Sequence, residues 1–129
     1  MHLVFLSLLL LSPFSASSVK ENPLFDAYST EISIKQENQR LDNFAIQLKN
    51  SPGSRALIVF FSQDEQSARS VKVRARRAVK YLVKTRGIDP SKVVMRYDGP
   101  CRPNQILLYL LYTNEADPAA DKYCPKPTK

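Results

Sequence analysis

SVKVRARRAVKYLVKTRG, Ser70 to Gly87, carries the densest positive charge in the chain, and whether it is an arm or a helix decides the fold. Lys72, Arg74, Arg76, Arg77, Lys80, Lys84 and Arg86 are its cations. Such a run fits a nucleic-acid arm, a membrane-surface segment or the outward face of a helix. The apolar residues separate these readings. Ala68, Val71, Ala75, Ala78, Val79 and Leu82 recur at helical spacing and make one stripe, while Arg69, Lys72, Arg76, Lys80 and Lys84 fall on other faces. A stripe of mostly Ala and Val suits close packing on a sheet, whereas a surface-lying membrane helix needs a continuous bulky apolar face. Ser62 and Glu65 have the S-x-x-E spacing of a capping box. The helix is expected to follow them, run to about Arg86 and stop at Gly87.

Upstream, RALIVFF (Arg55 to Phe61) is a continuous apolar, β-branched and aromatic run of strand length, expected of a strand buried on both faces at the centre of a sheet. Before it, Leu41, Phe44, Ala45 and Leu48 have the i, i+3, i+4, i+7 spacing of an amphipathic helix, stopped by Asn50, Pro52 and Gly53. Alternation around Tyr28, Thr30 and Ile32 predicts a first strand between about Ala27 and Ile34. Downstream, IDPSK makes a turn, and VVMRY and QILLYLLYT read as two strands separated by the loop DGPCRPN. The expected fold class is an α/β (α+β) two-layer sandwich of order β-α-β-α-β-β, with two helices on one face of a mixed sheet.

The 129 residues suit one domain with a single modest core, and 43% hydrophobic with 24% charged residues is a globular composition. MHLVFLSLLLLSPFSASS has an apolar run from Leu3 to Leu11, then Pro13 and small residues, the layout of a secretory signal peptide over residues 1–18. The run is too short to span a bilayer, which takes about 20 apolar residues. Residues 19–26 are expected to form a flexible segment, 27–124 the domain and 125–129 a loose tail. Export would remove His2, the one histidine. Histidine-based acid–base catalysis, Ser/His/Asp and Cys/His nucleophile pairs and His-ligated metal sites would then go together. Cys101 and Cys124 form an even pair in an oxidising compartment, so a disulfide is expected rather than a catalytic thiol or a metal site.

RLDNFAIQLKNSP, ALIVFFSQD and RARRAVKYLVKTRGIDPSKVVMRYDG together resemble the OmpA-like domain, the peptidoglycan-associating module of bacterial envelope proteins. Arg74-Ala75, Tyr81-Leu82, Gly87-Ile88 and Lys92-Val93 are similar to that family's RA-x5-YL, GI and K-[IV] signature, and the resemblance covers about Ala27 to Thr113. It implies a ligand site in which a carboxylate and an arginine bind the diaminopimelate unit of the stem peptide. Carried over by position, these are Asp64 and Arg74. The chemistry is sensible, since a zwitterionic amino-acid end needs an acceptor for its ammonium and a fork for its carboxylate. The sequence also departs from the pattern. Phe61 or Ser62 stands where the family usually has glycine, and the nine residues between Asp64 and Arg74 are fewer than usual.

Two functions are therefore expected. The first is a non-catalytic exported cell-envelope domain that binds peptidoglycan through Asp64 and Arg74. The alternative is a structural or protein-interaction domain on the same fold with that site lost. The structural alternatives are a helix-end cap or dipole-favoured anion for Asp64, the commoner role of such a residue, and a solvated helix charge for Arg74. With so few catalytic side chains an enzyme is not expected, and no cofactor is implied. A net charge of +7 and a pI near 9.6 attract anionic envelope polymers or lipid head groups in an exported protein. Nucleic acid is not the expected partner, because the basic helix interleaves only Tyr81 as an aromatic platform. Any protein partner is left open.

Overall fold

A computed structural model describes residues 23–119 and 124. The elements run β1 (Leu24–Ser29), α1 (Ile34–Asn50), β2 (Ser54–Ser62), α2 (Ala68–Lys80), β3 (Val93–Pro100) and β4 (Gln105–Tyr112), with a π-helical turn at Tyr81–Thr85 and a 3-10 turn at Pro90–Lys92. The order is β-α-β-α-β-β, in an α+β fold of two helices and a four-stranded mixed sheet. Strand order across the sheet is β1-β4-β2-β3, with β2 and β3 parallel and the other pairs antiparallel. β1 and β3 are thus the edges.

RALIVFF forms most of β2, and its unbroken apolar character has a physical cause: both faces are covered. Ala56, Ile58 and Phe60 pack beneath the helices with Leu41, Phe44, Ala45 and Leu48 of α1 and Val71, Ala75 and Ala78 of α2. Both helices therefore lie on one face. Val71, Ala75 and Leu82, whose exposure would have refuted the helix reading, are at most 1% exposed. Leu57, Val59 and Phe61 point the other way and join Leu107, Tyr109 and Leu111 in a second apolar cluster, against which Cys101 and Cys124 pack. The expected Cys101–Cys124 disulfide is present. Along the same side, Arg55 Nη2 donates to the Glu115 carbonyl at 2.9 Å and to Asp117 at 2.7 Å, and Arg96 Nη2 donates to the Pro118 carbonyl at 2.8 Å. The chain after β4 is thus fastened to the sheet face opposite the helices.

Three boundaries differ from expectation. The first strand lies at Leu24–Ser29 rather than Ala27 to Ile34, so Leu24, Phe25 and Asp26 of the expected flexible segment belong to β1. Ile34 instead opens α1, because Ser33 makes a capping box there: Gln36 N donates to Ser33 Oγ at 3.1 Å and Ser33 N to Gln36 Oε1 at 3.0 Å. The box expected at Ser62 and Glu65 does not form. β2 runs on through Phe61 and Ser62 because the second cluster buries Phe61 and Cys101 N donates to the Ser62 carbonyl at 2.6 Å. At the far end of α2, the helix widens into the π turn before Gly87, whose φ of +71° lets the chain reverse. The expected signal peptide (1–18) and loose tail (125–129) lie outside the described residues, and no described helix is long and apolar enough to cross a membrane.

Candidate functional site

Asp64 sits in the turn between β2 and α2. Its Oδ1 accepts from Ser67 N at 2.8 Å, and its own N–H is within 3.3 Å of Ser67 Oγ. The carboxylate is exposed, and the Ser67 amide holds its pKa below the ordinary aspartate value. It is an ionised acceptor that orders the start of α2.

Arg74 faces elsewhere. Its Nε donates to Glu37 Oε1 at 3.0 Å and its Nη2 to the Ile32 carbonyl at 2.8 Å. Glu37 is fully buried in the first turn of α1, where it also accepts from Arg77 Nη1 at 2.6 Å, and Arg77 Nη2 donates to Asn38 Oδ1 at 2.7 Å. Two turns further along, Tyr81 OH and Arg86 Nε each donate to Asp42 Oδ1 at 2.6 Å. Arg74 and Tyr81, seven residues apart, thus occupy one face of the second helical segment and tie it to Glu37 and Asp42 of α1. No hydrogen bond or ion pair joins Asp64 and Arg74 directly.

Sequence reasoning missed this polar seam, although a signal was present. Glu37 lies four residues before Leu41, on the apolar stripe of α1. A carboxylate in a buried stripe requires a cation partner. The arginines of α2 were the available supply.

A different group of residues shapes an open cleft of about 490 Å³ between α2 and the sheet edge at β3. Phe60 and Tyr97 line it, their rings stacked with centroids 5.2 Å apart. Ala68, Arg69, Lys72, Val73 and Arg76 come from the outward side of α2. Arg69, Lys72 and Arg76 make no ion pair with any described residue, in contrast to Arg74 and Arg77. Val73 and Tyr97 are 60% and 41% exposed, so apolar surface stands open between the cations. Tyr97 is fixed from below by a 2.6 Å hydrogen bond between its hydroxyl and Ser62 Oγ. The arrangement combines an apolar base with a positive wall, which suits an anionic ligand bearing carbon surface.

No protein-family model matches the chain, and no curated protein matches it.

Proposed function

We propose that this protein is a non-catalytic binding domain of an extracytoplasmic compartment, engaging an anionic partner at the cleft between α2 and β3. One observation carries the reading. Arg74 is committed to a buried carboxylate, whereas Arg69, Lys72 and Arg76 stand without described ion-pair partners beside the exposed Tyr97, which stacks on the buried Phe60. The Cys101–Cys124 disulfide fits an oxidising environment, as does the signal-like sequence at the N-terminus. This corresponds to the protein-interaction alternative on an OmpA-like fold.

The second reading, peptidoglycan binding through Asp64 and Arg74, is favoured by one feature: Asp64 is ionised and solvent-accessible. The two are separated by an isotope-edited NMR titration with poly-L-glutamate and by co-sedimentation with insoluble diaminopimelate-type peptidoglycan, at low and at ~0.3 M salt, where screening weakens exposed charge attraction most. The cleft reading expects poly-L-glutamate to shift amides of residues 68–76 and 93–97, and expects Arg69→Glu/Arg76→Glu to abolish those shifts. Salt-resistant sedimentation lost in Asp64→Ala and Arg74→Ala, with melting curves showing both variants folded, would favour the wall site instead.

A further inference from the structure

We infer that the partner is an acidic peptide segment that binds extended along β3, adding a fifth strand at that edge of the sheet. The inference rests on the cleft reading above and specifies its occupant. β3 has a neighbour on one side only, so alternate backbone N–H and C=O groups along its outer edge are not used by the sheet. Val93 N–H donates to the Pro90 carbonyl of the 3-10 turn, and among the described residues no backbone hydrogen bond from another segment reaches the Val94–Tyr97 part of that edge. Beyond Tyr97 the register with β2 shifts and Gly99 takes a φ of +95°, so the regular, pairable stretch ends there.

The helix beside this edge supplies specificity. Arg69, Lys72 and Arg76 extend over about 10 Å of α2 at ~1.5 Å per residue. In an extended peptide, side chains on one face recur every second residue, about 6.8 Å apart. Two carboxylates on alternate residues therefore match the row of cations, and an apolar side chain between or beside them would meet Val73, Tyr97 and Phe60. Val94, half exposed on the other side of β3, leaves that face open at its own position. A second copy of this chain is a poor occupant, because edge-to-edge pairing at β3 would set two identical rows of cations against each other in a protein of net charge +7. A membrane surface is also a poor occupant, since the apolar surface lies within a cleft rather than along a continuous helix face.

The test uses the peptide Ac-Glu-Thr-Leu-Thr-Glu-Thr-Glu-NH2 and two N-methylated versions of it, one methylated at the odd and one at the even backbone amides. The full chain with its disulfide intact is titrated by NMR. Pairing with β3 uses the peptide amides alternately, so one methylated series is expected to bind at least about tenfold more weakly, the equivalent of losing one to three net hydrogen bonds. The other series is expected to bind within about twofold of the parent, because its methyl groups face away from β3. Arg69→Glu/Arg76→Glu is expected to abolish binding of all three, with circular dichroism showing the fold retained. If both methylated series bind as the parent does, the strand-addition inference fails while the anionic cleft stands. If neither the peptide nor poly-L-glutamate shifts residues 68–76 and 93–97, both fail. Shifts there with nucleic acid or anionic vesicles, but not with peptide, would overturn the assignment of the occupant.

Discussion

Arg74 Nε reaches the fully buried carboxylate of Glu37 at 3.0 Å, and it is this contact, rather than a ligand, that fixes the arginine of the signature-like RA pair. Glu37 Oε1 receives both Arg74 and Arg77, while Oε2 is buried without a hydrogen bond. A buried carboxylate stripped of its cations is costly, whereas the arginines, partly exposed, can rehydrate if the carboxylate is removed. Arg74→Ala/Arg77→Ala is therefore expected to cost about 3–5 kcal/mol of stability. In a Glu37→Leu background the same double truncation should cost under about 1 kcal/mol, since the charge it would strand is gone. Urea unfolding midpoints of the four proteins measure this coupling. Equal losses in both backgrounds would show that Glu37 does not organise the seam.

The parts of the fold governed by apolar periodicity were legible in the sequence, and those governed by polar partners were not. β2 could be read from RALIVFF because a strand covered on both faces has no polar residue to interrupt it, and α1 and α2 from stripes that do meet the sheet. Ser62 shows the opposite case. Its spacing to Glu65 is that of a helix cap, yet sheet pairing and the buried side of Phe61 draw it into β2, a tertiary effect that local spacing does not encode. Arg74's partner was likewise hidden from local spacing. Asp64 and Arg74 are near in sequence and chemically apt, but Arg74 is on the helix face turned toward α1, and its partner is 37 residues away. The cleft uses Phe60 and Tyr97, which a linear reading had assigned only to strands, and whose stacking follows from the parallel β2–β3 register that pairs them.

The displaced cap gives a direct contrast. Ser33→Ala removes the hydroxyl that accepts from Gln36 N at the start of α1 and is expected to cost about 1 kcal/mol. Glu65→Ala, at an exposed position that caps nothing, is expected to change stability by less than about 0.5 kcal/mol. Thermal or urea unfolding of the two variants checks the order. A larger loss for Glu65→Ala would restore the cap to the β2–α2 turn.

Tyr28 predicts a response at alkaline pH. Burial, reinforced by the charge and closeness of the Glu37 carboxylate, pushes its phenol pKa above the ordinary 10.0. A raised folded-state pKa contributes stability that is present below pH 10.0 and is lost as pH rises above it, because the unfolded phenol releases its proton first. Tyr28→Phe is expected to lie within about 1 kcal/mol of the parent at neutral pH, since at most one weak hydrogen bond to Glu37 goes with the hydroxyl. Above pH 10.0 its stability should fall less steeply than the parent's. Parallel curves for the two proteins would mean that Tyr28 does not couple folding to alkaline titration.

Asp42 works in the opposite direction. Partial burial raises its pKa, but the hydrogen bonds from Tyr81 OH and Arg86 Nε outweigh this and hold it below 3.8. A depressed folded-state pKa contributes stability that is present above the unfolded value and is lost as pH falls through the folded one. Asp42→Asn should therefore cost about 1 kcal/mol at neutral pH through weakened charge-assisted bonds, and lose less than the parent as pH drops below 3.8. Unfolding midpoints from neutral pH down to about pH 2 decide it. An unchanged acid limb would place the coupling elsewhere than the π turn.

The disulfide offers a test of how separate the two faces of the sheet are. Cys101 and Cys124 close a loop of sequence separation 23, which by chain entropy contributes on the order of 3 kcal/mol. The segment it anchors lies against the Leu57–Val59–Phe61 side, assisted by Arg55 and Arg96, whereas the cleft opens on the helix side. Cys101→Ser/Cys124→Ser should accordingly lower global stability by that amount and speed amide exchange first in residues 113–119 and in β4. Amides of residues 68–76 should keep their chemical shifts, because the disulfide packs against the Leu57–Val59–Phe61 cluster on the opposite side of the sheet. Hydrogen exchange followed by NMR measures both effects on one sample. Shifts in the α2 amides as large as those after β4 would show that the two faces are mechanically coupled through β2, and that the cleft depends on the oxidised state.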